Sequence, residues 1–217
     1  IGFCLVGSEM CIRDSIAGTS SGNFTESVID SLLGEEFESS DNLAPPDDDT
    51  STHPDGPMLG ITAMPNGITA GFAGKTLLFS EPYLPHSYPE GNQLTTKDDV
   101  VAITSIAQGL LVTTEGKPLL VSGTDPSAMG MVEIDANLPN ANKRSLVDMG
   151  EYAIYSSPDG LVSVSGTGVQ VITDQIFTRD QWQDYYPTNI EAYEYEGKYI
   201  AFTFDGSDNA TKKGFLF

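Results

Sequence analysis

Along this chain apolar and polar residues fall into short runs with the two-residue period of β-strands, and in four places two such runs flank a glycine-bearing turn. Residues 68–72, 109–112, 152–155 and 190–195 lead into the turns. Gly74-Lys75-Thr76-Leu77-Leu78-Phe79-Ser80, Gly116-Lys117-Pro118-Leu119-Leu120-Val121-Ser122, Gly160-Leu161-Val162-Ser163-Val164-Ser165 and Gly197-Lys198-Tyr199-Ile200-Ala201-Phe202 lead out of them. In the third, Val162 and Val164 alternate with Ser163 and Ser165, the pattern of a strand with one face in a core. The runs are rich in Val, Ile, Thr, Tyr and Phe, which favour strands. Glycine supplies the positive φ of a tight hairpin turn, and Asp159-Gly160 is a strong pair for one. The pattern predicts four antiparallel hairpins with Gly74, Gly116, Gly160 and Gly197 in equivalent turns.

These glycines follow one another at intervals of 42, 44 and 37 residues. A period of about 40–50 residues is that of one propeller blade. Further strands are expected at 100–106, 145–148, 169–173 and 214–217. Two helices are expected. In residues 26–33 Val28, Ile29, Leu32 and Leu33 form an apolar side, Asn23 or Thr25 caps the start and Gly34 marks the stop. Residues 178–185 form a short turn with Trp182 and Tyr185 on one face. The fold class is therefore all-β: a partial β-propeller of four-stranded antiparallel blades, with a short N-terminal helix and an acidic linker.

Three stretches divide the chain. Residues 1–15, Ile1-Gly2-Phe3-Cys4-Leu5-Val6-Gly7-Ser8-Glu9-Met10-Cys11-Ile12-Arg13-Asp14-Ser15, resemble a translated sequencing adaptor found at the ends of unrelated shotgun-assembled metagenomic sequences. A secretory signal fits them less well, because a basic n-region is missing and Glu9 interrupts a short apolar run. Both cysteines lie there, so neither a disulfide framework nor a cysteine metal site is expected elsewhere. Residues 16–57 hold the helix and a linker rich in Pro, Asp and Ser, and residues 58–217 hold the propeller strands. A closed propeller of four to eight blades needs more chain, so a fragment truncated at both ends is expected.

Charge narrows the partners. With 31 acidic and 10 basic residues the chain carries −21, and −20 once Glu9, Asp14 and Arg13 are set aside with residues 1–15. Such a surface repels nucleic-acid phosphates and anionic membranes, and no apolar run is long enough to span a bilayer. Asp47, Asp48 and Asp49 lack the alternate spacing of a calcium loop, and His53 and His86 have no ligands at zinc spacing. No metal and no cofactor is expected. The Pro-studded connection Glu81-Pro82-Tyr83-Leu84-Pro85-His86-Ser87-Tyr88-Pro89 reads either as a self-packed loop or as an interface loop built on Glu81, Pro82, Tyr83, Pro85, His86, Tyr88 and Pro89. Ser157-Pro158-Asp159-Gly160 falls short of a sialidase-type Asp-box, since no residue separates Asp from Gly and no aromatic follows. No carboxylate pair, nucleophile elbow or phosphate loop stands out, so no catalytic residue and no enzyme activity is expected.

Longer strings carry a resemblance. Met64-Pro65-Asn66-Gly67-Ile68-Thr69-Ala70-Gly71-Phe72, Leu78-Phe79-Ser80-Glu81-Pro82-Tyr83 with Pro85-His86 and Tyr88-Pro89, Lys143-Arg144-Ser145 leading to Tyr155-Ser156-Ser157-Pro158-Asp159-Gly160-Leu161-Val162, and Phe177-Thr178-Arg179-Asp180-Gln181-Trp182 resemble a family of virion structural proteins of tailed bacteriophages and prophages. Leu33-Gly34-Glu35 through Pro45-Pro46 resembles the segment before those motifs, so the likeness extends over residues 16–217. Tyr88 stands where that family often has Trp, keeping the aromatic surface and adding a hydroxyl. The resemblance implies a non-enzymatic structural component of the tail, a nozzle- or hub-like propeller subunit located in the virion and assembled in the host cytoplasm. It implies other tail subunits as partners, a homo-oligomeric ring, DNA met only in passage without tight binding, and no membrane. The alternative is a carbohydrate-binding or glycosidase-like propeller acting on a host surface glycan. Exposed aromatics beside two carboxylates in a deep pocket would favour it; a flat acidic surface would favour the scaffold.

Overall fold

The computed structural model describes residues 43–217 except 167 and 205–211. The expected helix at 26–33 and residues 1–15 lie outside the described residues.

The strands come in consecutive groups of three or four, each group forming one sheet. The first sheet contains β1 (Leu59–Ala63), β2 (Thr69–Ala73), β3 (Thr76–Phe79) and β4 (Gln93–Thr95); the second contains β5 (Val100–Ile106), β6 (Gly109–Thr114), β7 (Leu119–Ser122) and β8 (Gly130–Glu133). The third holds β9 (Val147–Asp148), β10 (Tyr152–Ser157), β11 (Gly160–Ser165) and β12 (Gly168–Val171), and the fourth β13 (Glu191–Tyr195), β14 (Lys198–Phe204) and β15 (Lys212–Leu216). In each sheet the strands lie in chain order, and the fourth has three strands among the described residues where the others have four. All neighbours pair antiparallel. One short helix, α1 (Arg179–Gln183), interrupts the strands between the third and fourth sheets. Thr178 and Gln181 close a capping box at its start, which fixes where the chain leaves the loop.

The strand period decides the stacking. In β6, Leu110 and Val112 point to the first sheet and meet Phe72, Leu77 and Phe79, while Leu111 points the other way to Ala153, Tyr155, Val162 and Val164 of the third. In β10, Ile154 turns toward the fourth sheet and packs with Trp182, Tyr199 and Ala201. Runs such as Leu110-Leu111-Val112 are continuously apolar because both faces of these sheets are covered. Each such side chain contributes about 1.5–3 kcal/mol by leaving water. The first strands of successive sheets, β1, β5, β9 and β13, are neighbours in turn. Meander sheets stacked face to face with their first strands side by side are the blades of a β-propeller.

Residues 43–57, expected as linker, contain no helix or strand and are tied to the first sheet. Met58 N donates to Pro46 O at 2.9 Å and Tyr88 N to Leu43 O at 2.8 Å, while Met58 packs on Ala73, Leu78 and Tyr88. Within the acidic run, Asp49 accepts from the hydroxyl and backbone N–H of Ser51, which hold its carboxyl below the usual carboxylate range.

Candidate functional site

The four singled-out glycines stand in four different local settings. Gly74 and Lys75 form the two-residue turn between β2 and β3, with Gly74 at φ +55°. Gly160 opens β11 opposite Ser157, so Pro158 and Asp159 are the turn and the glycine stands just after it at φ +153°. A Cβ there would strike Thr173 Oγ1 and come within 2.7 Å of Val171 Cγ1, so only glycine fits. Gly116 lies between β6 and β7 without a positive φ; Thr114 Oγ1 holds that turn by accepting from Gly116 N at 3.0 Å and donating to Lys117 O at 2.8 Å. Gly197 departs in topology: it lies between the first and second strands of its sheet, where the third sheet has Gly150, in a turn with both Glu196 (φ 52°) and Gly197 (φ 75°) left-handed. The equivalence expected of the four therefore extends to Gly74, Gly116 and Gly160. Gly197 differs because a hairpin turn between any two strands demands the same local residues.

The Pro-studded loop folds on itself. Glu81 N donates to Ser87 O at 2.9 Å, Leu84 N to Glu81 O at 3.0 Å and Ser87 N to Leu84 O at 3.0 Å. The Glu81 carboxylate accepts from Asn92 Nδ2 at 2.9 Å. Tyr88 is buried against Leu78 and Ala73, and its phenol is pushed above its ordinary value by desolvation. His86 and Pro89 are half-buried. Pro82, Tyr83 and Pro85 form the outer tip, where Tyr83 is 78% exposed at φ 62° with its ring over Gly67.

The residues of the third string meet in a polar clasp that joins three sheets. Asn142 caps the 3₁₀ turn Lys143–Ser145 by accepting from Arg144 N, and its Nδ2 donates to Ile190 O at 2.8 Å. Asn140 Nδ2 donates to Thr113 Oγ1 of the second sheet at 2.9 Å. Ser145 Oγ accepts from Ser156 N of the third sheet at 2.9 Å, and Ser145 O accepts the buried hydroxyl of Tyr199 from the fourth, also at 2.9 Å. Arg144 pairs with Glu191 on β13. Lys143 stands exposed beside them. Trp182 Nε1 donates to Ser157 O at 2.8 Å, and its ring stacks with Tyr185 and meets Phe215 edge-on. Burial raises the phenols of Tyr155 and Tyr199 well above the ordinary value, so both stay protonated donors.

Asn140, Asn142, Ser156 and Tyr199 do not stand out in the sequence as joint-forming residues. The sole signal is the spacing Asn140-x-Asn142 before Lys143, a turn-forming pattern. The same holds for a cavity of about 440 Å³ lined by Asp159, Asp174, Phe177, Thr178, Arg179 and Gln181 among others. Arg179 Nε lies 3.0 Å from Asp159 Oδ1 at its edge, and Asp180 is exposed in the first turn of α1. Among the described residues no group of His, Cys, Asp and Glu is placed to hold a metal ion, and no helix is long and apolar enough to cross a membrane.

No protein family's sequence profile matches the chain, and no curated protein does. Many solved structures align with it, among them the following three. The N-terminal domain of Nup159 aligns at 10% identity and a TM-score of 0.41, covering 74% of this chain and 44% of that one. The Cps50 (Swd1) β-propeller domain of Myceliophteria thermophila aligns at 9% and 0.44, covering 75% and 60%. An S. cerevisiae assembly of Dbp5, Nup159 and Gle1 aligns at 11% and 0.40, covering 81% and 47%. The chain thus spans 44–60% of these three solved chains. The β-propeller named for Cps50 is the fold to which the sheet topology leads, and at these scores the likeness adds no argument of its own.

Proposed function

We propose that this chain is a non-enzymatic structural β-propeller subunit of a bacteriophage tail, nozzle-like or hub-like, working among other tail subunits in the virion. The observation that carries the reading is how the residues of the resemblance are used. Ser145, Tyr155, Ser156 and Trp182 are engaged in joints between sheets. Tyr155 gives its hydroxyl to Leu138 O, Ser156 to Pro187 O, and Trp182 its N–H to Ser157 O. Side chains so engaged set the angle and spacing of blades, the quantity a scaffold must hold. An acidic surface of this kind repels the phosphate backbone, so DNA passes it without adhering. Neither cofactor nor metal has a part in this reading.

The reading frames flanking the gene test it: a portal or adaptor frame beside it is the expected result, and a cluster of metabolic genes would overturn it. A mobility-shift assay with duplex DNA at physiological salt is expected to show no retention; tight binding would remove the DNA-path part of the reading.

The carbohydrate reading has the cavity at Asp159 and Asp174 in its favour, with Phe177 as an aromatic wall. Against it, Arg179 already pairs with Asp159. Melting with added envelope polysaccharide separates the two, because a ligand at about 100 times its Kd stabilises by about 2.7 kcal/mol. A rise in Tm would replace the scaffold by the glycan binder.

A further inference from the structure

The connection between the third and fourth strands differs in length from sheet to sheet. It runs over residues 80–92 in the first sheet, over 123–129 in the second and over only the two positions between Ser165 and Gly168 in the third. Two residues therefore suffice to close a sheet of this kind, and the length of 80–92 is an insertion that the sheet does not need. In repeat architectures such insertions gather on one face, often the binding face. The antiparallel order sets this one at the end of the first sheet away from the crossover 96–99 that leads to the second. It joins two strands already paired with each other, so its tip is bare by its own shape and not because a face of the sheet lies open.

The insertion has a buried root and an exposed tip. Ser87 and Tyr88 are buried, whereas Pro82, Tyr83, Leu84 and Pro85 face solvent, Tyr83 with 78% of its surface. The Tyr83 N–H donates to Gly67 O at 2.8 Å and holds the residue at a left-handed φ of 62°. Tyrosine in that region costs free energy, and the fold recovers little of it by leaving the ring in water. The prolines and the bonds within the loop fix its shape beforehand, so little freedom is lost when the tip is gripped. Counting the matching turns of the other sheets, this end carries Glu81, Glu90, Asp125, Glu151 and Glu196, and among the described residues Lys198 at the head of β14 is its one Lys or Arg.

We propose that this tip is the docking element for a different protein, which takes Tyr83 and the flanking prolines into an apolar pocket rimmed by Lys and Arg. A rigid, protruding aromatic is the kind of anchor that dominates interfaces, and the acids around it match a basic rim. A second copy is not that protein: the cavity of about 440 Å³ that it would offer is lined by Asp159 and Asp174, which repel an acid-flanked tip. The docking goes beyond the tail reading and does not depend on it, since the loop alone carries it.

The products of the reading frames flanking the gene, purified one by one, serve as probes over the immobilised full chain in biolayer interferometry. One of them is expected to bind, and to bind about threefold or more weakly as salt rises from about 0.05 to 0.5 M. Tyr83→Asn, which tolerates the left-handed backbone, should weaken that binding about tenfold or more with Tm unchanged. Ile61→Ser, a change at an exposed apolar residue on β1, should leave it intact. Binding indifferent to Tyr83→Asn overturns the proposal, as does the absence of any bound product. A fall in Tm of more than about 3 °C in Tyr83→Asn also overturns it, because the ring would then serve the fold. Should the product bound through Tyr83 come from a metabolic gene, the docking stands and the tail reading falls.

Discussion

The third and fourth sheets are made of similar strands and live in different surroundings. Each has a run of alternating β-formers leaving a turn that contains glycine, Gly160 through Ser165 in one and Gly197 through Phe202 in the other. In the third, Tyr155 and Val162 are covered by the second sheet while Ile154 and Leu161 are covered by the fourth. In the fourth, Tyr199 and Ala201 are covered while Tyr193 and Phe202 are bare. Alternation says that a strand has two faces; it does not say how many of them find a neighbour. The polar clasp at Asn140, Asn142 and Ser145 sits where three sheets meet, which is why a burial difference between neighbouring sheets does not separate them.

The comparison is broken most forcefully at the joint. Trp182→Ala should cost about 3–5 kcal/mol, since it empties a fully buried site and leaves Ser157 O without its donor. Phe202→Ala on the bare face should change stability by less than about 0.5 kcal/mol at concentrations where the chain is monomeric. Chemical denaturation measures both, and equal losses would show that the bare face is covered within a single chain.

The turns come next. Gly160→Val should lose about 3 kcal/mol, because a β-branched residue is strained at its φ and its Cβ meets Thr173 and Val171. Gly197→Ala should lose about 1 kcal/mol from backbone strain alone, as no atom lies within 4 Å of the added carbon. Gly116→Ala should lose least: its φ is not positive, and the atom in the way is the carboxylate of Asp98, which can swing aside. A melting series that ranks the three otherwise would sink this account of the turns.

Of the same order as the milder turn effects is the hydroxyl of Tyr199. Tyr199→Phe should cost about 1–2 kcal/mol by leaving Ser145 O unpaired in the joint. Burial raises the phenols of Tyr155 and Tyr199 above the unfolded value of 10.0, so the folded chain keeps two protons that the unfolded chain gives up. Their contribution is therefore complete below that value and is lost as pH rises above it. Tm should fall through this alkaline range, less steeply in Tyr199→Phe, with tyrosinate absorbance from the buried pair appearing on unfolding. A Tm that holds flat there would mean that both rings reach solvent.

The sequence by itself determined the strands, their hairpin turns and the blade-length interval, because alternation and turn chemistry are local properties that a few adjacent residues settle. The short helix was legible for the same reason, through Trp182 and Tyr185 three apart on one face, although it spans Arg179–Gln183 rather than the expected 178–185 and its capping box of Thr178 and Gln181 emerged only in the structure. The interval also misled, since Gly197 marks a different connection from Gly74, Gly116 and Gly160 although its own neighbours read alike. Only the tertiary structure decided which faces are covered and which polar residues become buried. Asn142 reaches a carbonyl 48 residues away, and Tyr199 a carbonyl 54 residues away. No local pattern encodes such a bond, because its worth depends on a second sheet arriving to exclude the water that would otherwise satisfy both groups.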